Sequence, residues 1–460
     1  MLEVRCRLGV GGLAAWDAMG RLLNWCPVPD AAVKVYTRCR LIPGDGSPAV
    51  DGAAITVRDG VVESIGTAES AGDVEHVDLA GKTVMPALIN PHGHVGYWKA
   101  GETDARNYSA ENVLDHLRRL IYYGVSVFQS LGTDRDDTEI GIRDQQRAGK
   151  LADPGLALLF TAGTGIVAPT PGQENGGPFF ATDVLNEVST ADQAREIVRV
   201  LAGKRVDVVK MWLDDRGGTK AKLTADLAAA VAQETHRHGL SVIAHVYDLS
   251  DAKTAIAAGA DGLAHLVRTQ EPDRALLDAI LGRDAFQFSS LSIQKYLPGD
   301  ASWLEDPALA ETVPSAVRRA VGQQLNQVPA DRARRAAAGY AILERSFRAC
   351  VDAGVRISIS VDTGADVWQF PGYAEHRELE AMVQAGMAPL AAIRAATAVP
   401  AQLLGLADRG IIAPGKRADF LVLNGDPLTD IACTRDIARV VISGTSIDRD
   451  RLRAEIEAME

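Results

Sequence analysis

The sequence predicts an α/β protein: a (β/α)8 TIM-type barrel with a small composite β-sandwich domain built from both ends of the chain. Three observations lead there. Short apolar runs alternate with amphipathic helical stretches through the middle, β-branched runs divided by Gly and Asp turns occupy both ends, and histidines recur where apolar runs stop. The expected boundaries are an N-terminal extension over 1–31, sandwich over 32–85, the barrel over 86–404, sandwich again over 405–446 and a C-terminal tail over 447–460.

In chain order, Leu8 to Trp16 is mildly apolar, but Asp17 interrupts it and Cys26-Pro27-Val28-Pro29-Asp30 is no small-residue cleavage signal. A loosely docked extension is expected there rather than a signal peptide. Val33–Thr37, Ala54–Val57 and Val61–Ile65 read as short strands, the last two joined by the turn Arg58-Asp59-Gly60. Gly410–Gly415, Ala418–Pro427 and Arg439–Ile442 repeat that style near the other end. Between them, strands are predicted at Leu88–His94, Val125–Leu131, Ala157–Ala162, Val206–Trp212, Leu240–Val246, Gly262–Val267, Ala285–Leu291 and Arg356–Asp362. Helical periodicity marks Ala110–Tyr123, Ala191–Ala202, Leu223–His238 and Asp251–Ala258.

At 460 residues and 47% hydrophobic composition, the chain can bury a large core and a smaller one beside it. A formal net charge of −12 argues against a nucleic-acid partner or an anionic membrane surface, which leaves small molecules. No apolar run reaches the roughly 18 residues of a membrane span. Five scattered cysteines without a Cys-x-x-Cys pair imply neither a disulfide framework nor a thiolate metal site, and point to a reducing cytoplasm. A homo-oligomer is the expected assembly.

In a barrel of this kind the chemistry gathers at the carboxyl ends of the strands, so the residues found there matter most. The run Val84–His94 ends in His92 and His94, on one face because alternate strand residues point the same way. The fourth predicted strand carries Lys210, the fifth His245, the sixth His265 and the eighth Asp362. Six metal-compatible groups would share one rim. Lys210 as an ammonium would be repelled by divalent ions, whereas a carbamate formed on its amine by CO₂ is an anion with two oxygens able to bridge two ions. The plainer alternative pairs Lys210 with Asp214 or Asp215.

The run Val84–His94, Val208-Val209-Lys210-Met211-Trp212, Ala244-His245-Val246-Tyr247, Leu263-Ala264-His265, Ser360-Val361-Asp362-Thr363-Gly364 and the tail from Ala395 to Pro427 together resemble the amidohydrolase superfamily. They are most similar to its imidazolonepropionase-like and Xaa-Pro dipeptidase (prolidase) branch, over roughly residues 32 to 446. The resemblance implies a binuclear centre, with His92, His94 and Asp362 on one ion, His245 and His265 on the other, and Lys210 between. One departure is Asn90, where the family usually has Asp two residues before the first histidine.

Two divalent ions, zinc-type with manganese or cobalt as alternatives, would lower the pKa of a water between them and polarise a substrate carbonyl. Asp362 is then the expected proton carrier, and Tyr247 either donates to the developing oxyanion or only lines the pocket. Tyr97 or Trp98, Trp212 and His376 are the candidate substrate contacts, with Arg268 and Lys295 possible partners for a carboxylate. The Gly/Pro-rich stretch from Gly163 to Pro178 suits a lid, and residues 294 to 335 a second cover. His236 and His238 precede the fifth strand and should face the other end, while His116 and His76 should be packed or solvated. The expected activity is hydrolysis of an amide C–N bond in a small molecule: an N-acyl amino acid, a dipeptide, or an aryl amide, carbamate or urea. A mononuclear cyclic-amide hydrolase or deaminase is the nearest rival, and a non-catalytic scaffold a remote one.

Overall fold

A computed structural model describes residues 33–67, 74–169, 180, 184–215, 217–295 and 301–459. The extension expected over 1–31 and most of the expected lid lie outside these. Among the described residues no helix is long and apolar enough to cross a membrane.

Both ends of the chain meet in one eight-stranded sheet. Its order runs Thr445–Ser446, Ile437–Ile442, Phe420–Leu423, Thr83–Pro86, Val33–Leu41, Val50–Arg58, Val61–Thr67, with Glu75–Asp78 pairing alongside Val33–Leu41. The join between the two ends is antiparallel, Phe420 opposite Pro86 and Leu423 opposite Thr83. The turn read from Arg58-Asp59-Gly60 is present, with Asp59 at φ 52° and Gly60 at φ 75°, the positive values that a tight hairpin requires. Register shifts on either side of Cys39, with Arg38 at φ 62°, bend the first strand. Tyr36, Ile55, Val57, Val84, Phe420 and Val441 form the separate apolar core of this unit.

The middle of the chain holds parallel strands in two sheets. One orders Leu158–Thr161, Val125–Ser130 and Leu88–Gly93; the other orders Leu185–Glu187, Gly165–Val167, Val209–Trp212, Val242–His245, Gly262–Leu263, Phe286–Phe288 and Arg356–Ser358. Contacts run between the sheets on both sides: the Asp207 amide donates to the Thr161 carbonyl at 2.9 Å, and Gly93 bridges Thr363 in parallel.

All eight predicted strands are present but shorter than their apolar runs. The last pairs only to Ser358, because the Ile359 amide turns to the Ala395 carbonyl and Asp362 takes φ 59°. The sixth pairs only over Gly262–Leu263, so His265 lies beyond the ladder. Gly165–Val167 and Leu185–Glu187 were not anticipated, since three-residue strands leave too short a pattern to read.

Capping sets the helix starts. Ser109 accepts from the Asn112 amide, Thr190 and Gln193 form a capping box, and Thr224 caps Ala225–Arg237, which leaves Leu223 outside a helix expected to include it. The expected second cover is helical, with Ser315–Asn326 followed by Ala330–Asp352. The expected tail is a helix too: Arg449–Glu457 buries Leu452 and Ile456, and Arg449 donates to the Tyr122 carbonyl at 3.2 Å.

Candidate active site

His92 and His94 leave the strand Leu88–Gly93 buried and on one face. Asn90 braces them: its Oδ1 accepts from the His92 amide at 3.0 Å, and its Nδ2 donates to Glu375 Oε1 at 2.7 Å. An aspartate has no N–H to donate and could make that second contact only by sharing a proton with Glu375, so the departure at position 90 fits this chain's own Glu375.

A chain of hydroxyls sets the His92 tautomer. Ser290 Oγ donates to the Ala264 carbonyl at 3.1 Å, so the 2.7 Å contact between Ser290 and Ser360 has Ser360 as donor. Ser360 Oγ is then the acceptor, 2.7 Å away, for the proton on His92 Nδ1. That leaves Nε2 of His92 as a lone pair facing the site. His94 Nδ1 is likewise 2.9 Å from Thr133 Oγ1.

Asp362 faces these nitrogens, with Oδ1 at 3.3 Å from His92 Nε2 and 3.1 Å from His94 Nε2, and Oδ2 at 3.7 Å from His265 Nε2. Oδ1 is buried without a well-aligned hydrogen bond to any donor. The Lys210 Nζ, fully buried, stands 3.4 Å from His92 Nε2 and 5.1 Å over the Trp212 ring. Asp215 pairs with Lys222 and Asp214 faces His245, so neither carboxylate pairs with Lys210. The rings of His245 and His265 are 4.5 Å apart, and those of His92 and His265 5.1 Å.

Burial governs the electrostatics. It lowers His92 and His265 well below the ordinary imidazole range and lowers His94 as well, so all three are neutral donors at neutral pH. It also lowers the Lys210 amine to about 7, against which the Asp362 charge acts only weakly. Burial pushes the Asp362 carboxyl up, but the facing imidazoles outweigh it and hold the group well below the carboxylate range. An ionised carboxylate among neutral imidazoles is a cation site in its charge and its donor set.

The substrate candidates separate. Trp212 lies beside Lys210 and 6.4 Å from the His245 ring, with Gly132 and Gly165 packed so closely that a Cβ at either would strike its indole. Tyr97 is one layer back: its hydroxyl donates to the Thr133 carbonyl at 2.7 Å, and Phe180, which the sequence reading missed, stands between it and His94 with its ring 4.6 Å from the imidazole. Trp98 is a packing residue, donating to the Val367 carbonyl at 3.0 Å and stacked edge-on against Phe370. His376 is corrected outright. Its ring nitrogens are engaged by Thr434 Oγ1 at 3.0 Å and the Tyr123 carbonyl at 2.9 Å, so it ties its helix to the C-terminal segment and cannot reach substrate.

Tyr247 is half-buried beneath the Arg268 guanidinium at 5.4 Å. Lys295 is turned to Gln384. His236 pairs with Asp261 at 2.9 Å beside the start of the fifth predicted strand, and His116 is buried between the Gly96 amide and the Trp98 carbonyl. A cavity of ≈ 480 Å³ opens at the amino ends of the strands, among Val208, Ile243, Phe286 and Leu403, and contains none of the ligand candidates.

Residues 83–447 match the Amidohydrolase family. An imidazolonepropionase from Deinococcus radiodurans is 26% identical over 417 residues, covering 86% of this chain and 92% of that protein. The structure of a Xaa-Pro dipeptidase with methionine bound in its active site superposes with a TM-score of 0.71 at 22% identity, covering 90% of this chain and 100% of the other. Phenylurea hydrolase B gives 0.72 at 21% identity, covering 92% and 98%.

Proposed function

Because the chain belongs to the amidohydrolase family, we propose that it cleaves an amide-type C–N bond in a small molecule at a binuclear divalent-metal centre held by His92, His94, Lys210, His245, His265 and Asp362. It is a C–N hydrolase. In this reading the parallel strands close into an eightfold barrel over 86–404, and the eight-stranded sheet is the composite sandwich of 32–85 and 405–446.

One observation carries the proposal: the Oδ1 of Asp362 sits 3.1–3.3 Å from two neutral imidazole nitrogens with no well-aligned donor. Ligands about 2.0–2.2 Å from a tetrahedral ion stand roughly 3.3–3.6 Å apart, so the spacing suits one cation shared by all three. His92, His94 and Asp362 are the residues for the first ion, and His245 and His265 for the second. The Lys210 amine, uncharged in a large fraction near neutral pH, would add to CO₂ with loss of a proton and so would offer the ions an anionic carbamate.

The ions, zinc-type with manganese or cobalt as alternatives, supply an acidified water and a polarised carbonyl. The chain's own groups do the rest. Asp362, strained at φ 59°, holds a carboxylate at the strand end, where it accepts the water's proton and passes it to the leaving nitrogen. Ser360 and Ser290 keep His92 in the ligating tautomer. Tyr247 donates to the developing oxyanion, and Arg268 above it recognises a substrate carboxylate. Trp212 and Phe180 make the wall apolar, which favours N-acyl amino acids, dipeptides and aryl amides, carbamates or ureas.

A single-ion, cyclic-amide reading is favoured by one fact: among the described residues only His92, His94 and Asp362 bring their ligand atoms within 4.8 Å of one another. Metal counting by plasma emission, with amine release measured across N-acyl amino acids, dipeptides, aryl amides and cyclic amides, decides. Two ions per chain with amine released from linear amides is the expected result. One ion with ring opening alone selects the rival, and no turnover with metal fully loaded overturns both.

A further inference from the structure

Two consecutive aspartates follow the strand Val209–Trp212, and they go separate ways. Asp215 faces outward and pairs with Lys222 at 3.3 Å, a lysine that also holds Asp251 at 2.7 Å. Asp214 is buried, and its Oδ2 lies 3.3 Å from Nε2 of His245. The backbone explains the difference. Trp212 is opposite His245 in the parallel register, and the Leu213 amide still donates to the His245 carbonyl at 3.0 Å, so Asp214 leaves the strand end beside that imidazole. Lys210, Trp212 and Asp214 are also spaced by two, the parity that directs side chains to one face of an extended segment.

A distance of 3.3 Å between an imidazole nitrogen and a carboxylate oxygen is what two ligands on one tetrahedral ion would show, and it equals the separation of His92 Nε2 from Asp362 Oδ1. The His265 ring is 4.5 Å from that of His245 and its Nε2 lies 3.7 Å from Asp362 Oδ2, so His265 stands between the Asp214–His245 pair and the first-ion residues. We infer that Asp214 is a direct carboxylate ligand of the second ion, beside His245 and His265. This rests on the two-ion reading above. A resident carboxylate there would supply charge to the second ion beside the Lys210 carbamate, so tight binding of that ion would need both anions.

The test is zinc titration of apo-enzyme by calorimetry, with plasma-emission counts, for the native chain, Asp214→Asn and Asp214→Glu. The asparagine amide oxygen can still accept a hydrogen bond from His245 but is a poor ligand. A role limited to hydrogen bonding therefore predicts two ions at native affinity in Asp214→Asn, and that result overturns the inference. A ligand role predicts an unchanged first ion, a second ion weakened at least about tenfold, and partial recovery in Asp214→Glu. Absorption of the cobalt-loaded forms gives a readout independent of activity: the expected result is that Asp214→Asn alters only the bands that appear with the second equivalent. A native chain that takes up one ion sinks the two-ion reading and this inference with it; two ions at equal affinity in the native chain and Asp214→Asn sinks the inference alone.

Discussion

The Lys210 amine nitrogen lies 3.4 Å from Nε2 of His92, fully buried and with no carboxylate in ion-pair contact among the described residues. Burial of an ammonium without a counter-ion is costly, and the lowering to about 7 reflects it. Conversion to a carbamate removes that cost and supplies an anion where two cations are expected. Only the neutral amine adds to CO₂, and its fraction grows as pH rises through 7, so reconstitution with zinc and bicarbonate should load two ions at pH 8 and fewer at pH 6. Lys210→Ala is expected to lose tight binding of the second ion and on the order of 100-fold or more in kcat/KM. Full metal content and activity in that variant would exclude the carbamate.

The hydroxyl chain behind His92 predicts a subtler loss. Ser360→Ala removes the acceptor for the His92 Nδ1 proton, freeing the ring to rotate or change tautomer. Chelator competition should show the first ion weakened about 10–100-fold, while Ser290→Ala, one bond further away, should cost less. Equal affinity in the native protein and Ser360→Ala would mean that packing alone orients the ring.

Much of this site is legible in the sequence because its ligand candidates close apolar runs. His92, His94, His245 and Asp362 each stand near the end of an apolar run and Lys210 within one, where strand parity assigns a face without knowledge of partners. Ser360 and Ser290 carry no such signal, since a serine inside an apolar run looks the same whether it contacts a ligand or only the backbone. His376 misled for the opposite reason. Proximity in sequence to Asp362 suggested the rim, yet a helix carries it to Thr434 and Tyr123, partners that no local pattern reveals. Asp214 had the right parity but was read only as a possible partner for Lys210. The shortness of the strands was hidden as well, because apolar character persists past Ser358 while the backbone pairs elsewhere.

Gly165 tests the placement of Trp212. A Cβ at that position would run into the indole ring, which is backbone-framed on this side and stands over the Lys210 amine on the other. Gly165→Ala should therefore destabilise the protein by about 1–3 kcal/mol, as overpacking does, and lower kcat/KM by displacing Trp212. Trp212→Phe in the Gly165→Ala background should restore part of the stability, measured by denaturant unfolding. Simple additivity of the two losses would show that the glycine is not required by the indole.

The Asn90–Glu375 pair makes a prediction about pH. Glu375 is fully buried, accepts from Asn90 Nδ2 through Oε1, and has Oε2 without a partner. Burial pushes its carboxyl up to about 7, against which the Asn90 bond pulls down. The folded state then holds a proton that the unfolded chain releases near 4.5, so the contribution to stability is complete below that value and is lost as pH rises through about 7. Glu375→Gln keeps the oxygen facing Asn90 and cannot ionise. Relative to the native chain it should be nearly neutral at pH 4.5 and stabilising by on the order of 3 kcal/mol at pH 8.5. Asn90→Asp should do the reverse, because it sets a second carboxylate against Glu375 at 2.7 Å and must keep a proton between them. Melting temperatures of the three metal-loaded proteins across that pH range check both, and parallel curves for the native chain and Glu375→Gln would show that Glu375 is ionised throughout.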